Sequence, residues 1–400
     1  MGSTPGRRPG RWAYLLHDTR RRHPENHLTH GPCRHIAAII GVALAAGSIG
    51  AAQAALEESA PPDPTGLSYE FGRGLRLGDS GFTLGGYATA EYRQPKGEAG
   101  KFKSSHASAF VWWEGLGLLK AFAELDLLNA TEQPRTDADD TDRRVSLERL
   151  YVDIAATDAL TLRAGKFLTP IGRWNAVHAD PLVWTTTAPL VASSQFPHNL
   201  TGLMGSGQMP SLAWSVYVSN GNEWRRDRWE DSFSKVLGGR LVWSTVADLQ
   251  IGASAARYEQ ARSRGDPRQL VGLDLFWARK GWEFSAEWLR TTADRPTLLP
   301  QPNGLERAES PAEEVRFGVP SLTTWASFAQ GVAPLGRNWY AVARLEWNRD
   351  PGYGVLLRQQ LIGLAWRPNP GLSLKLEWLH LGPDRPGLGS GFVVSTSVLF

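Results

Sequence analysis

Charged side chains that could steer or transform a solute recur in this sequence at every second residue. In Trp282-Glu283-Phe284-Ser285-Ala286-Glu287-Trp288 the acids Glu283 and Glu287 fall on one side, and the aromatic residues on the other. Trp339-Tyr340-Ala341-Val342-Ala343-Arg344-Leu345-Glu346-Trp347 groups Arg344 with Glu346, and Leu372-Ser373-Leu374-Lys375-Leu376-Glu377-Trp378 groups Lys375 with Glu377. Alternation at 180° per residue belongs to a strand with one apolar and one wet face. The same parity puts Arg163 and Arg240 on wet faces together with Glu124, Asp126, Asp153 and Asp274. Rings of charge select ions by sign. Here the signs mix, and pairing between neighbouring strands would neutralise them equally well.

The other candidates gather around one long connection, 168–199. Lys166 precedes it, and Arg173, His178, Asp180 and His198 lie within it. His178-x-Asp180 could orient an imidazole for general-base work, with Ser193 or Ser194 as nucleophile. No nucleophile motif surrounds either serine, so the reading is that of a non-enzyme. The acids Glu132, Asp137, Asp139, Asp140 and Asp142 crowd a second connection, 129–144. They lack the glycine and terminal glutamate of a dedicated calcium loop, and read as a solvated loop with no metal. With no glycine-rich phosphate loop, no Cys/His spacing and no basic-aromatic patch, neither a cofactor nor nucleic acid is expected.

The elements that must position these residues are strands throughout. Sixteen are predicted, at 82–93, 104–113, 118–128, 145–156, 160–167, 200–207, 211–219, 235–244, 249–259, 269–279, 282–292, 321–331, 338–348, 358–366, 372–381 and 391–400. Short and long connections alternate along most of this series, as in single-chain barrels with short periplasmic turns and longer outer loops. Trp282 and Trp288, like Trp339 and Trp347, close both ends of an apolar face. Aromatic girdles at the two edges of a membrane would place them so, whereas a sandwich core would hold its large rings mid-strand. The expected fold is therefore all-β: a transmembrane antiparallel barrel of about sixteen strands. A barrel this wide keeps an aqueous channel unless a loop narrows it. Segment 168–199, with Trp174, Trp184, Phe196 and four prolines, is too apolar to stay in water and should fold inward as the third outer loop.

Export is written at the N-terminus. An apolar run from Ile36 to Ile49 follows Arg34 and precedes Ala51-Ala52-Gln53-Ala54, the three parts of a secretory signal cut after Ala54. The stretch before it is long and arginine-rich, which fits either an extended leader or a start codon assigned too far upstream. Residues 1–54 hold seven arginines and two acids. Removing these from the 43 basic and 40 acidic residues turns a formal charge of +3 into −2. The basic character thus belongs to the leader. The lone cysteine, Cys33, lies there too, so the exported chain has no thiol chemistry. Residues 55–81 read as a periplasmic segment, in which 67–77 could add a short strand, and 82–400 as the barrel.

Two motifs carry a resemblance. Arg163-Ala164-Gly165-Lys166-Phe167-Leu168-Thr169-Pro170-Ile171-Gly172-Arg173, followed by the long loop, resembles the phosphate-selective porins of the O/P type and the general porin superfamily around them. The last strand, with Phe392, Val394, Thr396, Val398 and a terminal Phe400, resembles the signature that the barrel-assembly machinery reads. The resemblance implies an outer-membrane porin for passive diffusion of small hydrophilic solutes or ions, anions such as phosphate among them. It further implies a homotrimer bedded in outer-membrane lipid and lipopolysaccharide. Arg163, Lys166, Arg173, His178, Asp180, Arg240, Arg344, Lys375, Glu283 and Glu287 would line its lumen and constriction. A barrel with an occluded lumen and a surface-binding or structural role is the alternative, and a barrel hydrolase a more distant one.

Overall fold

A computed structural model describes residues 66–97, 99–115, 117–128, 145–157, 159–177, 179–193, 196, 198–220, 233–245, 248–260, 267–293, 323–350, 355–382 and 390–400. The expected leader with its cleavage site and the acidic segment 129–144 lie outside them. So do His178 and Ser194.

Two short strands come first, β1 (Leu67–Glu70) and β2 (Gly74–Leu77). Sixteen longer ones follow: β3 (Phe82–Pro95), β4 (Lys101–Glu114), β5 (Leu119–Leu128), β6 (Val145–Thr157), β7 (Leu160–Leu168), β8 (Asn199–Gln208), β9 (Leu212–Ser219), β10 (Phe233–Ser244), β11 (Leu249–Gln260), β12 (Pro267–Arg279), β13 (Trp282–Ala293), β14 (Thr323–Gly336), β15 (Trp339–Asp350), β16 (Val355–Asn369), β17 (Leu372–Gly382) and β18 (Gly391–Leu399). Each of the sixteen pairs antiparallel with its sequence neighbours, and β18 returns to β3, with Leu399 opposite Tyr87. The sheet is a closed sixteen-stranded barrel.

All sixteen expected strands are present. The segment 67–77 is a separate hairpin in which only Leu75 and Arg76 reach β3, so it adds no stave to the wall. The largest boundary difference is at the end of β14. The connection expected at 332–337 is strand as far as Gly336, because Arg337 and Asn338, both at positive φ, form a two-residue turn. Such turns match the twist of the flanking strands, but neither Arg-Asn nor Pro334 upstream announces one.

The outer surface is apolar. Leu150, Val152 and Ile154 on β6, Val216 and Val218 on β9 and Leu241 and Trp243 on β10 are exposed, while their strand neighbours Asp153, Tyr217 and Val236 are buried. Trp282, Trp339 and Trp366 face outward near one end, and Trp288, Trp325 and Trp347 near the other. Eight residues separate Trp339 from Trp347. On a tilted strand that is about 20 Å of height, close to an outer-membrane apolar band.

Candidate functional site

The lumen is divided by the segment between β7 and β8. From Thr169 onward it leaves the wall, crosses the interior and returns at Asn199, and its described residues Ile171, Val191, Phe196 and Phe167 at its root pack on Leu200, Tyr258, Leu270, Leu289 and Phe328. The inward loop expected from its apolar content is therefore present.

Its polar backbone is what makes this difficult, since a loop in a packed interior must satisfy every N–H and C=O. Three wall carboxylates meet that demand. Glu287 on β13 accepts Arg173 N at 3.0 Å and Trp174 N at 3.1 Å. Glu377 on β17 accepts Thr187 N at 3.1 Å and also the Thr186 N–H. Glu346 on β15 accepts Leu190 N at 2.5 Å. The carbonyl side is met by cations. Arg344 donates to Thr187 O and to the Thr185 hydroxyl, both at 2.7 Å, Lys375 Nζ donates to Asp180 O at 2.5 Å, and Arg367 donates to Val183 O. Gly172 makes the first of these contacts possible. Its φ is +63°, and a Cβ there would sit 1.9 Å from the Glu287 carboxylate. A residue with no side chain can turn at this place and still approach the acid.

Between this loop and the wall of β12–β16 lies a chamber of about 120 Å³ lined by Arg173, Trp184, Glu283, Glu287 and Arg367, among others. Arg173 Cζ lies 3.5 Å from the centroid of the Phe276 ring and Arg367 Cζ 3.8 Å from that of Trp184, so both cations sit over aromatic faces.

On the opposite wall, β3–β7, the rings of Tyr87, Phe110 and Phe122 are buried with Ala179 of the loop packed against them, and the inward cations are partly exposed. Side-chain exposure is 43% at Arg93, 23% at His106, 22% at Arg149, 17% at Arg163 and 28% at Lys120, against 0% at Arg344 on the loop side. These cations have partners. Arg163 holds Asp153 through two bonds of 2.7 and 2.8 Å and lies 3.6 Å over Tyr151. Arg149 pairs with Glu124 and lies 4.6 Å over Phe122. Lys120 reaches Glu114 at 3.0 Å, and His106 Nε2 lies 3.2 Å from Asp126. Trp112, Phe122 and Tyr151 form the ring surface beneath, at centroid spacings of 5.4 and 5.5 Å.

The expected site residues therefore separate into groups. Arg163 stands on the β3–β7 wall. Arg344, Lys375 and Glu287 are buried as loop clamps, and Asp180 contributes its backbone carbonyl to that clamp. Arg173 and Glu283 line the chamber, and Arg240 is paired with Asp274 at 2.6 Å. Lys166 does not face the lumen. It stands opposite Leu150, on the outward face it shares with Leu162, and its Nζ donates to Leu147 O at 2.7 Å. Arg163 and Lys166 are three apart, and an odd spacing on a strand puts two side chains on opposite faces. His198 Nδ1 is bonded to Asn175 Oδ1 at 2.7 Å. Arg367, Arg149 and His106 were not among the expected site residues. Arg367 has the parity of Gln359 and Leu361 on β16, a signal hidden because the strand continues past the predicted end at 366 into Pro368.

No protein-family model matches the sequence, and no curated protein matches it either. Solved structures do share the fold. A Salmonella typhi OmpF complex with daunomycin aligns with a TM-score of 0.59 at 9% identity, covering 80% of this chain and 97% of that one. The trimer form of in-vitro folded OmpT from Vibrio cholerae aligns at 0.55 and 8%, covering 80% and 99%. An anion-selective porin from Comamonas acidovorans aligns at 0.54 and 12%, again covering 80% and 99%. At these identities the likeness is one of fold, that of the bacterial porin barrel. With its closed sheet and apolar outer belt, the chain is a protein of the cell outer membrane.

Proposed function

We propose that the protein is a porin through which small hydrophilic solutes diffuse along the β3–β7 wall, past a permanently docked loop. The observation that carries this reading is the asymmetry of the lumen. The loop is clamped to the β11–β18 side by buried groups, while Arg93, Lys120, Arg149 and Arg163 on the facing wall keep partly exposed side chains. These four cations each pair with a carboxylate, which favours a pore that sorts by size with a slight preference by sign. Selectivity for phosphate would call for unpaired cations, so the paired wall speaks against the finer resemblance to the O/P type.

Planar-bilayer recording of the refolded chain tests the proposal: small ohmic steps with a weakly ion-dependent reversal potential are expected. The packing of the loop around Phe167, Ile171 and Val191 also favours a second reading, a lumen closed to solutes. Absence of any conductance would select it.

The outer surface supports an assembly of barrels. β5–β8 present no aromatic side chain outward, since Phe122, Tyr151 and Phe167 all face in. A face without the girdle residues that meet lipid headgroups fits contact between barrels, in keeping with a homotrimer. Phe400, whose backbone bonds Gly86 in both directions at 2.8 Å, points outward at the seam, where the barrel-assembly machinery could read it. Residues 1–54 are the exported chain's leader in this reading.

A further inference from the structure

The outside of the barrel carries cations that a pore does not need. Toward the end with the long connections, Arg257 on β11, Arg290 on β13, Arg349 on β15 and Arg358 on β16 all point outward and are exposed. They follow one another around the wall. Trp325 stands opposite both Arg290 and Arg349, and Trp347 opposite Arg358. Just below Arg358, Gln360 and His380 face each other across β16 and β17. These two, with Arg358, Leu356 and Gly382, line an open cleft of about 370 Å³ on the outer wall.

Among the described residues none of these four arginines has a carboxylate at ion-pair distance, whereas the lumenal Arg163, Arg240 and Arg344 are each paired. A bare guanidinium on the lipid side of a barrel is costly unless it sits at headgroup height. Trp325 and Trp347 mark that height here. What lies beside them at the long-loop end is the outer leaflet, so the complement of the row must be anionic and fixed in that leaflet. Guanidinium forks fit phosphate oxygens in pairs, and Arg358 and His380 share the open cleft of about 370 Å³.

We propose that this row and its cleft dock the phosphate groups of the outer-leaflet glycolipid, lipopolysaccharide, with Arg349 and Arg358 as the main contacts and His380 and Gln360 as the cleft's polar floor. The inference needs only that the barrel stands in the outer membrane, and is independent of whether the lumen conducts.

The test titrates the full chain, refolded in detergent, with lipopolysaccharide and with the same material dephosphorylated, reading quenching of the tryptophans beside the cleft. Native protein should bind the phosphorylated form and bind the dephosphorylated form at least about tenfold more weakly. Arg358→Gln should weaken binding roughly tenfold, and Arg349→Gln with Arg358→Gln roughly a hundredfold. Arg279→Gln, at the opposite end of the barrel, should leave it unchanged. Heat-modifiable migration on gels shows that each variant is a folded barrel, and the single variant stands in if the double one is not. Equal affinity in Arg358→Gln and native protein would overturn the proposal, as would equal binding of the dephosphorylated lipid. Competition by micromolar inorganic phosphate would overturn the assignment to lipid. Single-channel conductance, unchanged in these variants, keeps the result separate from the pore reading.

Discussion

Replacing Glu377 by glutamine tests the clamp with the least change of shape. The carboxylate accepts two consecutive backbone N–H groups, those of Thr186 and Thr187. A carboxamide can accept one of them, but its NH2 then faces the other donor. Two charge-assisted bonds, each about 1.5–3 kcal/mol, become one neutral bond of about 1 kcal/mol. The net loss for docking this part of the loop is on the order of 2–5 kcal/mol, a rise of roughly 30- to 5,000-fold in the undocked population. Arg344 and Lys375 keep their bonds to Thr187 O and Asp180 O, so the release should be confined to the segment around 185–188. Hydrogen exchange of the Thr186 and Thr187 amides reads this directly, because local opening sets their rate. The expectation is faster exchange by that factor, with β13–β17 protected as before and a noisier open-channel current. Protection factors within about threefold of native would refute the clamp, since the statement that Glu377 holds the loop leaves no room for that result.

Arg163→Glu places two acids together on the β3–β7 wall, Glu at 163 facing Asp153, and should shift the reversal potential toward cations in asymmetric salt. Arg173→Glu should shift it less, because Arg173 lies on the loop side over Phe276; an equal shift would mean that the path runs through the chamber. Arg344→Met leaves Glu346 buried without its partner at 2.7 Å, and a loss of about 3–5 kcal/mol is expected in urea unfolding from detergent; a stability change under about 1 kcal/mol would contradict it. Gly86→Val sets a Cβ 2.3 Å from Ser108 O and close to the Phe400 ring, and should abolish heat-modifiable migration by blocking the seam.

Much of the architecture could be read without coordinates. The alternation in 282–288, 339–347 and 372–378 is a local property, imposed by a wall one residue thick with lipid outside and a polar interior. It identifies which side of each strand Arg344, Glu346, Lys375 and Glu377 occupy. The apolar content of 168–199 likewise announces a loop that must be buried somewhere. The same rule misled at Lys166 only because it was grouped with Arg163 as a motif rather than by parity. The β14–β15 boundary was missed because a two-residue turn built from Arg337 and Asn338 lacks the glycine that usually signals one.

What no local pattern contains is the purpose of each inward charge. Arg163 and Arg344 look alike along the chain, both inward on a strand and both near an acid. One is partly exposed and the other fully enclosed, because the clamps of the loop after β7 lie on β13–β17. That choice depends on contacts between residues more than a hundred positions apart, such as Arg173 with Glu287 and Thr187 with Glu377. Periodicity determined the barrel and the side each residue faces, since strand geometry acts between neighbours. Which inward residues hold the loop and which meet the solute was decided only when the chain closed on itself.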